Sequence, residues 1–147
     1  MKYWIVLILV TIISSLTAQN HVNLKKGFGA EGYDVVTYFN NEALKGDKKI
    51  TASYEGVAYK FSSEGNKQIF EANPSKFIPQ YGGYCAYAVG IKSDKIGVNP
   101  KTFQIINGKL YLFYNSFGVN TLEKWNEEGA QDLQHKADLN WQQIIQN

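Results

Sequence analysis

Two segments of this chain alternate large apolar residues with small or polar ones around a two-residue turn, and this pattern limits the folds that the chain can adopt. Residues 50–61 alternate around Glu55-Gly56, and residues 102–114 alternate around Asn107-Gly108. Period-two alternation predicts β-strands, and both turn pairs suit the tight connection of a hairpin. The sequence therefore predicts two antiparallel β-hairpins.

Helical patterns fill the gaps around the hairpins. Ser62 or Ser63 is expected to cap a helix that runs to about Ala72, with Ile69 and Phe70 turned inward. Further along, Asn120-Thr121-Leu122-Glu123 resembles the capping box of a short helix that ends at Gly129. A last helix is predicted from apolar residues at three- and four-residue spacings, which are Leu133, Ala137, Trp141, Ile144 and Ile145.

Because strand pairs and helices occur in separate runs, the expected fold is α+β rather than a parallel βαβ arrangement. We expect a small antiparallel sheet built from the two hairpins, with several short helices packed against it. No internal repeat is expected within residues 27–147, which are predicted to form a single domain.

The beginning of the chain has the pattern of a secretory signal peptide. Lys2 precedes an apolar run over residues 3–13, and small or polar residues follow up to Ala18. Cleavage after Ala18 would leave residues 19–26 as an N-terminal extension, and the protein would be exported to the periplasm or secreted. The run is about half of the ~20 residues that span a bilayer, so the mature protein is not expected to be embedded in a membrane. An uncleaved N-terminal anchor is the alternative interpretation.

Charge and cysteine content exclude several classes of function. The chain has 15 basic and 13 acidic residues, and every basic one is lysine, which argues against nucleic-acid binding. The only cysteine is Cys85, so neither an intramolecular disulfide nor a zinc site with several cysteines can form.

Several motifs together resemble the YHS domain family. They are Gly32-Tyr33-Asp34, residues 59–67, residues 79–87 and residues 107–112, and the last two resemble the longer, exported members of that family. The resemblance implies the fold of a small metal-binding module. Shorter members carry cysteines at three places, which here are Thr37, Ser62 and Asn66. Because hydroxyl and carboxamide groups are weak replacements for thiolates, the resemblance predicts the fold better than it predicts a metal site.

Cys85 is the leading candidate for a metal ligand. It lies in a segment rich in glycine and tyrosine, where Tyr84 and Tyr87 are candidate ligand-binding residues, and a thiol near phenols can bind copper. Two alternatives stay open: a buried thiol that acts as a small hydrophobic side chain, and a redox thiol that forms a sulfenic acid or a mixed disulfide. Asp34, next to a tyrosine, is either a further ligand-binding residue or a turn acceptor.

The two histidines differ in what they predict. Cleavage after Ala18 would make His21 the third residue of the mature chain, where an amine, two amides and an imidazole can hold cupric copper in a plane. His135 lies away from the apolar stripe of the last helix and is expected to face solvent.

These observations favour a non-catalytic binding module outside the cytosol over an enzyme. The expected ligand is a transition metal such as copper, or a small molecule. The alternatives are a thiol-dependent redox or accessory protein that uses Cys85, and a structural interaction domain without a metal.

Overall fold

The computed structural model describes residues 21–147, in which helices alternate with short two-stranded sheets. This confirms the predicted α+β class. The predicted signal peptide, residues 1–18, and the first two residues of the predicted extension lie outside the described residues. Within residues 21–147, no helix combines the length and the apolar character needed to cross a membrane.

Both predicted hairpins form, and each is a two-stranded antiparallel sheet of its own. Their strands are β1 (Asp47–Tyr54) with β2 (Val57–Phe61), and β3 (Asn99–Ile106) with β4 (Lys109–Phe113). A third, very short pair consists of β5 (Asn115–Ser116) and β6 (Val119–Asn120). The hairpins therefore do not join into the one continuous sheet that the sequence pattern suggested.

Helices and single turns of 3₁₀ helix connect these strands. The α-helices of the described residues are α1 (Glu64–Ala72), α2 (Pro74–Phe77), α3 (Ala86–Lys92), α4 (Thr121–Glu128) and α5 (Ala130–Gln146). The 3₁₀ turns are Gly29–Gly32, Thr37–Asn40 and Gln80–Gly83. The Ser63 side chain caps α1 by accepting the Asn66 N–H, as predicted. The Asn120 side chain caps α4 through the Leu122 N–H.

Residues 28–72 and residues 79–128 are two copies of one structural unit, contrary to the expectation of no internal repeat. Each copy begins with three residues in left-handed conformation: φ is 50°, 54° and 78° over Ala30-Glu31-Gly32, and 56°, 61° and 80° over Tyr81-Gly82-Gly83. The tyrosine that follows each turn donates its N–H back to the first of these residues at 3.0 Å. We call these copies the first and the second repeat.

The hairpins of the two repeats match in detail. Both turn pairs, Glu55-Gly56 and Asn107-Gly108, have positive φ at each residue, as a type I′ turn requires. The strand register shifts at the same place in both hairpins, between Asp47 and Thr51 in one and between Asn99 and Phe103 in the other. A shared irregularity of this kind indicates one architecture used twice.

Each repeat buries a cluster of three aromatic rings between its hairpin and the helix that follows. In the first repeat the rings are Tyr59, Phe61 and Phe70, with centroids 5.3 and 4.9 Å from Phe70. In the second repeat the rings are Tyr111, Phe113 and Trp125, with centroids 6.0 and 5.4 Å from Trp125. The hydrophobic core therefore has two equivalent centres.

Helix α5 follows the second repeat and packs on it. Its predicted apolar stripe is narrower than expected, because Leu133 and Ala137 are buried whereas Ile145 is 41% exposed. The predicted inward orientation of Ile69 on α1 is wrong, since that side chain is 50% exposed and only Phe70 reaches the core. One residue step on a helix turns the side chain by about 100°, so neighbours cannot both face a small core.

Candidate functional site

Four hydrogen-bond donors converge on the carboxylate of Asp34, which is completely buried. Oδ1 accepts the Val36 N–H at 2.9 Å. Oδ2 accepts the Ser62 N–H at 2.8 Å, the Ser62 hydroxyl at 2.6 Å and the Asn66 side-chain amide at 2.8 Å. Hydrogen bonds to an ionised acceptor are among the stronger ones in proteins, and they offset the cost of burying the carboxylate.

Thr37 joins this cluster through the backbone of Asp34. Its hydroxyl donates to the Asp34 carbonyl oxygen at 2.8 Å. The three positions that the family resemblance singled out, Thr37, Ser62 and Asn66, therefore all bond to Asp34. We call these four residues the Asp34 cluster.

Cys85 occupies, in the second repeat, the position that Asp34 occupies in the first, directly after the tyrosine that follows the left-handed turn. Its side chain has no exposed surface, and Sγ lies 3.3 Å from the Thr121 hydroxyl oxygen at the start of α4. That hydroxyl donates to the Tyr114 carbonyl oxygen at 2.7 Å, which leaves the thiol as the donor to Thr121. The thiol is thus enclosed and held by a hydroxyl rather than by a base.

The tyrosines beside Cys85 turn towards different helices. The Tyr84 ring lies 6.4 Å from the Trp141 ring of α5, and the Lys95 Nζ lies 5.8 Å from the Tyr84 centroid. The Tyr87 hydroxyl donates to the Glu128 carboxylate at the end of α4 at 3.0 Å. Cys85, Tyr84 and Tyr87 therefore lie close in sequence, whereas the Cys85 thiol, the Tyr84 ring and the Tyr87 hydroxyl each contact different residues.

A cleft of about 950 Å³ lies between the first hairpin and the side of α5. Its aromatic and apolar walls come from the first repeat, including Ala30, Val57 and Tyr59, and from Trp141 and Ile145 on α5. Polar groups are contributed by Glu55, Ser75, Lys109, Asp138 and Gln142. We call this space the first-hairpin cleft.

His21 lies at the cleft, next to the ring of Trp141. The two ring centroids are 6.3 Å apart, with an interplanar angle of 85°. Its Nδ1 is buried and has no hydrogen-bond partner in the part of the chain that the structure describes. Gly82 is needed for this contact, because a Cβ there would clash with the His21 carbonyl oxygen.

Two tyrosine hydroxyls of the cleft stay protonated at physiological pH. Burial raises the pKa of Tyr59, and the nearby Glu55 carboxylate raises it further. Burial also raises the pKa of Tyr81, together with the hydrogen bond from its hydroxyl to Asp138 at 2.8 Å. Both phenols are therefore neutral, and the Tyr81 hydroxyl uses its one hydrogen in the bond to Asp138.

Comparison with known families identifies part of this architecture. Residues 36–81 match the family model described as YHS domain. Over this segment the chain is similar to a YHS domain. The YHS match covers most of the first repeat, including its hairpin and α1, and it ends at Tyr81, in the left-handed turn of the second repeat. None of the curated proteins and none of the solved structures compared with the chain matches it.

The Asp34 cluster does not fit a transition metal. Soft metals need thiolate or imidazole ligands, and here one carboxylate is surrounded by hydroxyl and amide groups. The Ser62 hydroxyl and the Asn66 amide point their hydrogens at Asp34, so an ion at this point would meet donors rather than lone pairs. Within residues 21–147, no group of three or more His, Cys, Asp or Glu side chains is arranged to hold a metal ion.

The first-hairpin cleft could not be predicted from the sequence, because its residues come from distant parts of the chain. In the sequence, Tyr59 lies within a predicted hairpin strand, and Trp141 belongs to the predicted apolar stripe of the last helix. The sequence made His21 a candidate copper ligand at the N-terminus of the mature chain. In the structure, His21 lies at the cleft because its ring contacts that of Trp141. The one short pattern in the sequence that relates the two hairpins is Gly-x-x-Tyr-x-Phe, which begins at Gly56 and again at Gly108.

The burial of Cys85 leads to an expected result for its reactivity. In the folded protein, neither a maleimide reagent nor cuprous ion should reach the thiol on a time scale of minutes, whereas both should react after denaturation in urea. The measurement is labelling followed by mass spectrometry, and copper binding compared between wild type and Cys85→Ala. Rapid labelling of the native protein, or copper binding that Cys85→Ala removes, would instead support the redox or the copper interpretation.

Proposed function

We propose that the chain is a non-catalytic binding module and that its ligand binds in the first-hairpin cleft. The observation that carries this proposal is the cleft itself, whose volume of about 950 Å³ lies within the range of known ligand sites. Its walls combine aromatic rings with polar and charged side chains in about equal measure, and such polar groups can fix the orientation of a bound molecule.

The same geometry favours an organic ligand over a metal ion. The Asp34 cluster satisfies its own hydrogen bonds, and Cys85 is enclosed beside Thr121. An aromatic cleft gains binding energy from buried area and stacking, neither of which a metal ion needs. The copper interpretation from the sequence stays a prediction, and the copper measurement described for Cys85 tests it.

We further propose that the protein acts outside the cytosol. This proposal rests on the predicted signal peptide over residues 1–18. A chain with one cysteine cannot form an intramolecular disulfide, and this is compatible with either compartment. Mass spectrometry of the protein recovered from the producing cell tests it. A mature chain that begins at Gln19 supports export, and a cytosolic protein that retains Met1 would contradict it.

Binding in the cleft is expected to be detectable with small aromatic probes. Phenol and indole should show saturation-transfer NMR signals with the purified mature protein, with dissociation constants in the millimolar range. Ser75 is exposed and lines the cleft, so Ser75→Trp should fill the space and abolish these signals.

The matched control is Ser116→Trp, which adds the same side chain at an exposed position on β5 that does not line the cleft. This variant should bind both probes as wild type does. Signals that persist unchanged in Ser75→Trp would show that the probes bind elsewhere, and their absence from the wild type would refute the cleft as a binding site.

A further inference from the structure

Two carboxylates of the first-hairpin cleft have no counter-charge among the described residues. Glu55 lies at the tip of the first hairpin and Asp138 lies on α5, and both side chains are exposed and line the cleft. Lys109 lines the same cleft, but within residues 21–147 neither carboxylate forms an ion pair with it or with another basic side chain. The acidic charge of the cleft is therefore available to a ligand.

Asp138 lies beside the indole ring of Trp141 on one face of α5. The two residues are three positions apart, and side chains at this spacing are neighbours on a helix surface. Trp141 is half-buried, and both side chains line the cleft. An aromatic ring and a carboxylate therefore border the same part of the cleft.

Contacts with other residues fix the positions of this ring and this carboxylate. The centroid of the Trp141 ring lies 6.3 Å from that of His21 and 6.1 Å from that of Tyr81. The Tyr81 hydroxyl donates to Asp138 Oδ1 at 2.8 Å, whereas Oδ2 has no hydrogen-bond partner in the described part of the chain. Side chains that are already held in place lose little conformational freedom when a ligand binds. One carboxylate oxygen is thus left for a ligand.

The chemistry of this pair suits a positively charged group. An ammonium group is attracted by the face of an indole ring within about 6 Å and by a carboxylate, and here the two attractions act at one place. An uncharged apolar ligand would remove water from Asp138 without replacing its hydrogen bonds. An anionic ligand would meet like charge from Asp138 and Glu55.

We propose that the first-hairpin cleft binds an organic cation, with a protonated amine beside Asp138 and Trp141 and an apolar or aromatic body along the cleft. This inference rests on the proposed function, since it names the class of ligand for the same cleft. Asp138 and Trp141 both retain exposed surface, so the contact needs no movement of enclosed wall residues such as Tyr59. The exposed Ile145 on α5 offers apolar surface to the body of the ligand.

Benzylamine and benzyl alcohol test this inference, because they have nearly the same size and differ in one charged group. We expect the purified mature protein to bind benzylamine about three- to tenfold more tightly than benzyl alcohol, measured by ligand-observed NMR titration at low ionic strength. Benzoate, an anion of similar size, should bind more weakly than benzyl alcohol. Ser75→Trp should abolish the binding of benzylamine, since it fills the cleft.

Asp138→Asn isolates the effect of the charge. Asparagine keeps an oxygen that accepts the Tyr81 hydrogen bond, so this variant should keep the wild-type affinity for benzyl alcohol. It should bind benzylamine no more tightly than benzyl alcohol. The matched control is Asp132→Asn, which removes an exposed carboxylate of the same helix outside the cleft and should keep the wild-type preference for the amine.

The outcomes separate this inference from the proposed function. If wild type binds the amine and the alcohol equally, or binds benzoate most tightly, the cationic ligand is overturned and the cleft remains a site for other small molecules. A preference for the amine that survives in Asp138→Asn, or that Asp132→Asn removes to the same extent, also overturns the inference.

Two further results concern the place of binding. Amine binding that persists in Ser75→Trp would place the cation outside the cleft, for example in the smaller cavity that Asp138 also borders, and would overturn the inference. If benzylamine, benzyl alcohol, phenol and indole all fail to bind, both proposals fail.

Discussion

Replacing Asp34 with alanine is expected to lower the free energy of unfolding by about 3 kcal/mol or more. The change removes the acceptor of the Val36 and Ser62 N–H groups, and it leaves the Asn66 amide with only its 3.3 Å hydrogen bond to the Ser62 hydroxyl. Because small domains are stable by only roughly 5–15 kcal/mol, much of the protein would be close to unfolding. Urea denaturation followed by circular dichroism measures the effect.

Two further variants make this prediction specific. Asp34→Asn keeps one acceptor oxygen, so it should lower the free energy of unfolding by about half as much as Asp34→Ala does. Asp47→Ala removes an exposed carboxylate that accepts the Lys49 N–H at 2.8 Å, and it should change stability by no more than about 0.5 kcal/mol. If Asp34→Ala resembles Asp47→Ala, the Asp34 cluster does not hold the first repeat together.

The local features of the fold were predictable because they depend on short stretches of sequence. Alternation around Glu55-Gly56 and Asn107-Gly108 encodes both hairpins, and the turn residues have the positive φ that such pairs allow. Ser63 and Gly129 mark helix ends through capping and left-handed geometry, which are also local.

The internal repeat could not be read in the same way, because it is preserved in geometry more than in residue identity. The left-handed turns have the sequences Ala30-Glu31-Gly32 and Tyr81-Gly82-Gly83, which share only their last glycine. The core rings on the helices are Phe70 and Trp125, which follow their hairpins by different numbers of residues in the sequence. Backbone conformation keeps the two units alike, while the side chains differ wherever packing tolerates the change.

The candidate site was predictable only in part, for a related reason. The family resemblance pointed to Thr37, Ser62 and Asn66, and the structure does bring all three to Asp34. The resemblance could not show that Thr37, Ser62 and Asn66 use their donors to hydrogen-bond Asp34. That depends on the orientation of the Asn66 amide, which only the structure gives. The cleft depends on how α5 packs on the second repeat, and tertiary packing of this kind leaves no periodic signal in the sequence.

The two repeats are expected to unfold as one cooperative unit, and the buried rings on their helices provide the test. Trp125→Ala and Phe70→Ala should each lower the free energy of unfolding by about 3–5 kcal/mol, because both side chains are almost completely enclosed. In urea, fluorescence and circular dichroism should report one coincident transition for each variant. A second transition in either variant would show that the repeats are separately stable.

Trp125→Phe is expected to be much milder than Trp125→Ala, and this difference tests the equivalence of the two repeats. Phenylalanine is the residue that the first repeat uses at the matching position, Phe70. The Trp125 indole N–H is buried without a hydrogen-bond partner among residues 21–147, so its removal offsets part of the lost packing. The net loss should be about 1 kcal/mol, measured by the same urea denaturation. A loss as large as that of Trp125→Ala would mean that the second core requires the indole shape, and the equivalence of the two cores would then be limited to the backbone.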